Sequence, residues 1–321
     1  MNFVDLKKSL KEKTLPCYVI EGEDVYLLYR SLEMIKEAAG QMFPEINEVI
    51  FSDNNYTIKN IIDSCLVLPI GGDKRLVIVK DCAVKANNEA IEQLNDYLQN
   101  PAVECVLVFF NTVKNELCLK LKNVERVNCN KLEPELVKKY VTSLFQKEGK
   151  VIGAGAINTL CEYCLYNLGR ISGEVAKLSS LSANAEITPK MVEDNVVKEL
   201  DYQIYEFSQS VAEKNADKAL AIFNDLMNKK EGVGLVISGL YNQFSRMLFS
   251  AITPLTNGEI AGILGVKEFA VKRLKQQAEK FSKVALKDIV LLISQTEFDF
   301  KSGKVDGKTA CQNLIFKIIS Y

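Results

Sequence analysis

The sequence predicts an α/β domain, with a parallel sheet and flanking helices, followed by two all-α domains. In residues 1–131, short apolar segments alternate with amphipathic segments of helical period. Strands that alternate with helices in this way are typical of βα units and a parallel sheet. After residue 131 the strand-like segments stop, while helical periodicity continues. We therefore predict an α/β domain over 1–131, a small helical domain over 132–198 and a larger helical domain over 199–321.

The first domain contains five strand-like segments: residues 17–20, 48–51, 75–79, 105–110 and 124–129. The third and fourth are continuous apolar runs, as expected for strands covered on both faces of a parallel sheet, whereas the second and fifth are weaker. Helices are predicted between them, over residues 24–40, 57–65 and 87–98. The apolar residues of the first of these helices share one face: Val25, Leu28, Leu32 and Ile35.

Start and stop signals define the helices of the second domain. Pro134 lies in a first helical turn and Gly149 lies just beyond that helix. Helices over 154–168 and 170–181 follow, and Thr188 is the predicted N-cap of a fourth. The third domain has further helical segments: 201–213, 217–228, 233–252, a helix that Ser282 caps and that ends at Gly303, and 306–321.

Composition excludes several classes of protein. The chain has 321 residues, a formal net charge of −1 and no histidine. Histidine-based acid–base catalysis and histidine metal ligation are therefore impossible, and the whole molecule is not electrostatically attracted to DNA. There is no apolar run of the roughly 18–20 residues that span a bilayer, and the N-terminus lacks the apolar core of a signal peptide. We expect a cytoplasmic protein with no membrane partner.

The nine cysteines do not indicate a disulfide framework or a metal site. Their number is odd, and Cys17 and Cys105 lie in apolar strand-like runs. Cys161 and Cys164 form a CxxC, but the pair lies inside a helical pattern with no second pair at ligand spacing. A redox pair of the thioredoxin type would follow a strand and open a helix. Packing is the predicted role of these cysteines, and we predict no metal and no cofactor.

The turn after the first strand has the layout of a phosphate-binding loop without its residues. Such a loop needs several glycines and a Lys-Ser/Thr pair. Here the turn has one glycine, Gly22, flanked by Glu21, Glu23 and Asp24, whose charges suit a helix N-terminus and repel a triphosphate. The third strand ends in Lys80-Asp81 rather than in the Asp-Glu expected of a nucleotide-hydrolysing enzyme. We predict no catalytic site.

Several segments carry a resemblance to a known family. "RLVIVKDCAVKANNEAIEQLNDYLQNPAVECVLVFF" resembles the clamp-loader AAA+ pattern. "YVIEGEDVYLLYRSLEMI", "LPIGGDKRLVIVKDC" and "ILGVKEFAVKRLKQQAEKFS" are similar to the delta-subunit family of bacterial DNA polymerase III, and "NLGRISGEVAKL" and "FKSGKVDGKTACQNLIF" fit its later domains. The resemblance covers essentially the whole chain, although each motif is loose by itself. The segment after the fourth strand lacks the Ser-Arg-Cys motif of ring-forming relatives, and the chain lacks a four-cysteine zinc module.

The resemblance implies an AAA+-like fold without a working ATP site. It implies a subunit of a hetero-pentameric clamp loader, together with the gamma/tau and delta prime subunits, whose ATPase activity comes from the partners. This subunit would grip and open the sliding clamp (the beta subunit) for loading onto primer-template DNA. Its third domain would form the helical collar through which the subunits assemble.

The resemblance places the clamp-binding element between the second helical segment and the third strand. There Val67 precedes Leu68, Pro69 and Ile70, and two glycines follow. A compact apolar turn can insert into a hydrophobic pocket. The family usually has an aromatic residue after the proline, so this element is smaller. In the alternative interpretation, Leu68 and Ile70 pack back onto the sheet and anchor the loop.

A basic segment late in the chain leaves a rival interpretation open. Residues 267–283 contain six basic and two acidic residues, and the segment resembles a helix-turn-helix with Gly265 at the turn. A DNA-binding regulator would place the second helix in a groove. Against this, the apolar residues of that helix predict packing: Phe269, Val271, Leu274 and Ala278. The candidate contacts with a DNA backbone are Lys272, Arg273 and Lys275.

Two further alternatives stay open. The chain could be another subunit of the same assembly, or an ATPase with a degenerate loop. Arg170, near the start of a second-domain helix, is predicted to be a surface residue.

Overall fold

Five parallel strands form the sheet that the alternating pattern predicts. They are β1 (Cys17–Glu21), β2 (Glu48–Phe51), β3 (Arg75–Lys80), β4 (Cys105–Asn111) and β5 (Glu125–Asn128). Their order across the sheet is β2-β3-β4-β1-β5, and every neighbouring pair is parallel. Each predicted strand is confirmed to within one or two residues. Because all strands run in one direction, the loops that precede them lie at one edge of the sheet and the loops that follow them lie at the other.

The computed structural model describes residues 1–40, 43–53, 55–182, 186–229 and 232–321. Two units are distinguished by their internal contacts, one of residues 1–157 and 166–188 and the other of residues 158–165 and 189–321. The division into three domains at residues 131 and 198 stays a prediction. Among the described helices, none combines the length and the apolar character that crossing a bilayer requires.

Six of the described helices accompany the sheet strands. They are α1 (Phe3–Glu12), α2 (Val25–Ala39), α3 (Pro44–Asn47), α4 (Ile58–Leu66), α5 (Asn88–Gln99) and α6 (Glu116–Leu119). Among them, α2, α4 and α5 confirm the three predicted helical segments. The side chain of Asp24 caps α2 by accepting from the backbone of Leu27, and Thr57 caps α4 in the same way. The predicted apolar face of α2 is buried except for Val25, its first residue. The sequence pattern did not predict α1, α3 or α6.

The next part of the chain corrects the sequence prediction in two places. It contains α7 (Pro134–Lys147), β6 (Val151–Ile152), α8 (Ala154–Tyr163), α9 (Leu168–Leu181), β7 (Glu186–Ile187) and α10 (Pro189–Asn195). β6 and β7 pair in parallel, although no strand was expected after residue 131, because two residues are too few to show a period. The helix predicted to reach residue 168 ends at Tyr163, since Leu165 and Tyr166 adopt left-handed backbone conformations.

The remaining described helices enclose one large apolar core and a smaller one. They are α11 (Leu200–Ala212), α12 (Ala216–Asn228), α13 (Val233–Ile252), α14 (Asn257–Leu264), α15 (Glu268–Ala278), α16 (Lys283–Lys301) and α17 (Gly307–Ser320). Large buried side chains come from several of them: Phe207, Phe223, Phe244, Leu286 and Ile315. The helices predicted for this part of the chain are all present, and the Ser282 cap of α16 is confirmed.

The cysteines have the packing role that the sequence predicts. All nine are free thiols and all nine are buried. Burial raises the pKa of the Cys17 thiol well above its usual value, so this thiol stays protonated and unreactive. In the part of the chain that the structure describes, no group of histidine, cysteine, aspartate and glutamate side chains is arranged to hold a metal ion.

Candidate functional site

The loop between α4 and β3 presents apolar side chains to solvent at the amino-terminal edge of the sheet. We define the apolar knob as residues 67–70. Leu68 is 68% exposed and Ile70 is 62% exposed, while Pro69 is half-buried. α4 ends at Leu66, and Val67 is already extended, as expected for a chain that approaches a proline. Leu68 and Ile70 therefore do not anchor the loop to the sheet.

The side chain of a buried asparagine anchors the knob through two hydrogen bonds. Asn47 is the last residue of α3, and its side chain is fully buried. Its Nδ2 donates to the carbonyl oxygen of Ile70 at 2.9 Å, and the backbone N–H of Ile70 donates to its Oδ1 at 2.8 Å. One planar amide thus satisfies both backbone groups of an exposed apolar residue, as a neighbouring strand would.

A buried arginine supplies the second anchor. Arg75, the first residue of β3, is almost fully buried. Its Nε donates to the carbonyl oxygen of Ser64 at 2.9 Å, and its Nη1 donates to that of Ile46 at 3.3 Å. Ser64 lies in the last turn of α4, where carbonyls lack helical partners and a positive charge is favoured. Arg75 therefore ties the end of α4 to α3.

Neither anchor was predicted from the sequence. Asn47 precedes a weak strand and Arg75 opens a strong one, and neither belongs to a motif. The only local sign of each anchor is a polar residue directly beside an apolar strand. This sign does not indicate which backbone groups the side chain binds.

The turn at Gly22 lies at the opposite, carboxyl-terminal edge of the sheet, and its backbone donors are occupied. The N–H of Gly22 donates to the carbonyl oxygen of Asn111 at 3.3 Å, and the N–H of Asp24 donates to that of Cys129 at 3.0 Å. A Cβ at position 22 would lie 2.2 Å from the backbone carbon of Cys129. The turn is therefore packed against the backbone that follows β5, and these two N–H groups are not free to bind a phosphate.

The end of β3 is similarly committed to internal contacts. Asp81 Oδ1 accepts from the backbone N–H of Thr112 at 2.7 Å and from its hydroxyl at 2.8 Å. The Lys80 ammonium lies 5.6 Å from the ring centroid of Tyr29 and 5.8 Å from that of Phe110. The Asp81 carboxylate therefore orients the loop at Thr112. The Lys80 ammonium is placed for cation–π contact with both rings.

The basic residues of α15 differ in their surroundings. Lys272 is exposed and Lys275 is half-buried. Arg273 Nη1 donates to the hydroxyl of Tyr205 at 3.1 Å, and its Nη2 lies 3.5 Å from Glu213 Oε1. The guanidinium is thus engaged within its own unit, although DNA contact by the three residues stays a prediction.

The packing predicted for α15 is correct at three positions and wrong at one. α14 and α15 flank Gly265, which has the left-handed conformation of a helix end. Val271, Leu274 and Ala278 are buried, whereas Phe269 is 70% exposed. At 3.6 residues per turn, Phe269 lies about 200° around the helix from Val271 and so faces the other way.

Arg170 lies in the first turn of α9 and is half-buried. The helix begins at Leu168, and the backbone N–H of Arg170 donates to the capping side chain of Asn167 at 3.0 Å.

Comparisons with known proteins agree in one family. The family model "DNA polymerase III, delta subunit" matches residues 18–148, and "DNA polymerase III delta subunit, C-terminal domain" matches residues 201–318. Together they match more than three quarters of the chain. DNA polymerase III subunit delta of Bacillus subtilis is 26% identical over 334 residues, which cover 98% of this chain and 96% of that protein.

Two more relatives extend this agreement. A probable DNA polymerase III subunit delta of Aquifex aeolicus is 24% identical over 322 residues, with 94% of this chain and 83% of that protein covered. Among solved structures, the Bacillus subtilis DNA clamp loader delta protein superimposes with a TM-score of 0.69 at 24% identity, over 99% of this chain and 100% of that chain. This structural likeness shows a shared fold.

We expect Asn47→Ala to loosen the knob. Removing the amide leaves two backbone groups of Ile70 without partners, so the free energy of unfolding should fall by about 1–2 kcal/mol. Urea unfolding measures this loss, and limited proteolysis should cut residues 66–74 faster than in the parent chain. Asn95→Ala is the matched control, because Asn95 also bridges backbone groups of a loop, at Lys120 and Lys122. Equal cutting of residues 66–74 in both variants would contradict the assigned role of Asn47.

We expect the isolated chain to show no saturable binding of Mg–ATP up to millimolar concentration. The backbone N–H groups of Gly22 and Asp24 are already bonded, and Gly22 packs closely against the backbone of Cys129. Isothermal titration calorimetry measures this directly. Saturable binding with a micromolar Kd would contradict the account and support an ATPase with a degenerate loop.

Proposed function

The chain belongs to the DNA polymerase III delta-subunit family, and we propose that it binds and opens the sliding clamp during clamp loading without hydrolysing ATP itself. The apolar knob is the proposed contact, with Leu68, Pro69 and Ile70 entering a hydrophobic pocket of the clamp. As part of the replication machinery, the protein would act in the bacterial cytoplasm. Partner subunits would hydrolyse ATP. Their rearrangement would control access to the knob by shifting the population of conformations in which the knob is accessible.

One observation carries this proposal: buried polar side chains hold the knob rigidly while its apolar side chains face solvent. Exposed apolar groups gathered on one turn are unfavourable in water and are typical of binding sites. Because Asn47 and Arg75 fix the backbone beforehand, little conformational entropy would be lost on binding. A rigid apolar turn of this kind has the properties of a hot spot.

A second exposed apolar surface supports assembly through the third domain. Three exposed residues on α16 are spaced by seven, Val284, Leu291 and Phe298, so they follow one stripe along the helix. The opposite side of α16 packs into the core. We propose that this stripe contacts another clamp-loader subunit, of the gamma/tau or delta prime type, in a hetero-pentamer.

Contact with primer-template DNA would occur within the complex, and Lys272 and Lys275 are the proposed backbone contacts. Arg273 is a weaker candidate, because Tyr205 and Glu213 already engage it. The alternative of a helix-turn-helix regulator has less support, since three residues of α15 are buried in packing.

We expect Leu68→Ala combined with Ile70→Ala to remove most of the clamp affinity. Two large apolar side chains that become buried at an interface contribute about 3 kcal/mol, which corresponds to about a hundredfold in Kd. Surface plasmon resonance with the sliding clamp of the same organism measures the change. The melting temperature should stay near that of the parent chain, because both side chains are exposed in the free protein.

The matched control is Val113→Ala. Val113 is also exposed and apolar, and it follows β4 at the carboxyl-terminal edge of the sheet, away from the knob. This variant should bind the clamp like the parent chain. Parental affinity in the Leu68/Ile70 double variant would contradict the site, and a folded parent chain that does not bind the clamp would contradict the function.

We expect Leu291→Ser combined with Phe298→Ser to impair assembly and leave clamp binding unchanged. The change removes most of the apolar stripe on α16 without touching the core. Size-exclusion chromatography of reconstituted clamp-loader subunits measures incorporation of this chain into the complex. Val284→Ser tests whether the first residue of the stripe also contributes to assembly. Full incorporation of the double variant would contradict assembly through this face.

A further inference from the structure

We propose that Phe43, together with Ile46 beside it, forms a second part of the clamp-binding surface. This inference rests on the proposed function, because it concerns the same partner and the same face. It adds a segment that is more than twenty residues from the knob in sequence and that the sequence pattern gave no reason to select.

The ring of Phe43 lies against the end of the knob. Its Cε2 and Cδ2 atoms lie 3.0 Å and 3.3 Å from the position that a Cβ on Gly71 would occupy, and Gly71 directly follows Ile70. Gly71 itself is left-handed, with φ of 69°. A glycine is required here for its conformation, and its missing side chain also leaves room for the ring.

Phe43 and Ile46 are exposed apolar residues, like the residues of the knob. Phe43 is 48% exposed and Ile46 is 47% exposed. With the knob they form one apolar surface that two separate segments of the chain contribute. An aromatic ring adds a large contact area and has few torsions to fix on binding, so it is an efficient addition to such a surface.

Hydrogen bonds join the two segments of this surface. Asn47 on α3 pairs with both backbone groups of Ile70, and Arg75 holds the carbonyl oxygen of Ile46. The position of Phe43 relative to the knob is therefore set before binding. A partner pocket that receives Leu68 and Ile70 meets the edge of the Phe43 ring as well.

The backbone of Phe43 is a further indication of a role. Its φ of 51° and ψ of 64° lie in the left-handed region. This conformation is common for glycine and tolerated by asparagine, but it is rare and costly for a bulky residue such as phenylalanine. Burial within the chain does not offset this cost, because about half of the residue's surface is exposed to solvent. Burial against a partner would offset it.

The test is clamp binding by the full-length chain with Phe43→Asn. Asparagine tolerates the left-handed conformation, so this change removes the ring and preserves the turn. We expect clamp affinity to fall about tenfold, with no decrease in melting temperature. Phe43→Gly, which also fits the conformation, should give the same loss, and Phe43→Tyr should keep most of the affinity. Val113→Asn introduces the same side chain at an exposed apolar position on the other edge of the sheet and should bind like the parent chain.

Each outcome distinguishes this inference from the proposed function. Parental affinity in Phe43→Asn and Phe43→Gly, with binding lost in the Leu68/Ile70 double variant, would overturn the role of Phe43 and leave the function intact. A folded parent chain that does not bind the clamp would overturn both. An equal loss in Val113→Asn would show that the effect does not depend on this face, and would also overturn the inference.

Discussion

The two hydrogen bonds between the buried Asn47 side chain and the backbone of Ile70 determine how the chain presents its apolar knob. A turn whose apolar side chains face solvent cannot be ordered by burying them. Its order must come from polar groups beneath it, and fixing a backbone costs about 1–2 kcal/mol per residue. Asn47 and Arg75 supply those groups, so the cost is met in the free protein rather than at the moment of binding.

The same sheet presents two edges with different properties. In parallel α/β folds, ligands bind at the carboxyl-terminal edge of the strands. Here the backbone after β5 closes that edge at Gly22, and Asp81 is bonded to Thr112. The apolar knob lies instead at the amino-terminal edge, before β3. The strand–turn–helix frame of a nucleotide site thus remains as part of the core, while the surface proposed for protein binding lies at the other end of the strands.

Local sequence patterns predicted most of the fold. They did not predict features that depend on contacts between residues far apart in the sequence. Apolar runs located all five strands, and helical periodicity located most of the helices. The break at Leu165 and Tyr166 was missed, because no glycine marks these left-handed residues. Phe269 was predicted to pack with Val271, but the two residues lie about 200° apart around α15. For the site, an apolar quartet before two glycines indicated the knob, but the anchoring of Ile70 by Asn47 joins residues 23 positions apart and leaves no local signal.

Hydrogen–deuterium exchange of the chain, with and without the sliding clamp, would show whether the apolar knob is preformed and whether it binds the clamp. We expect slowed exchange in residues 43–47 and 66–72 on addition of the clamp, with little change at the Gly22 turn or in α15. We also expect the backbone N–H of Ile70 to be already partly protected in the free chain, because Asn47 accepts its hydrogen bond. A preformed clamp-binding surface would be contradicted if the clamp did not slow exchange in these two segments. It would also be contradicted if the Ile70 N–H exchanged rapidly in the free chain.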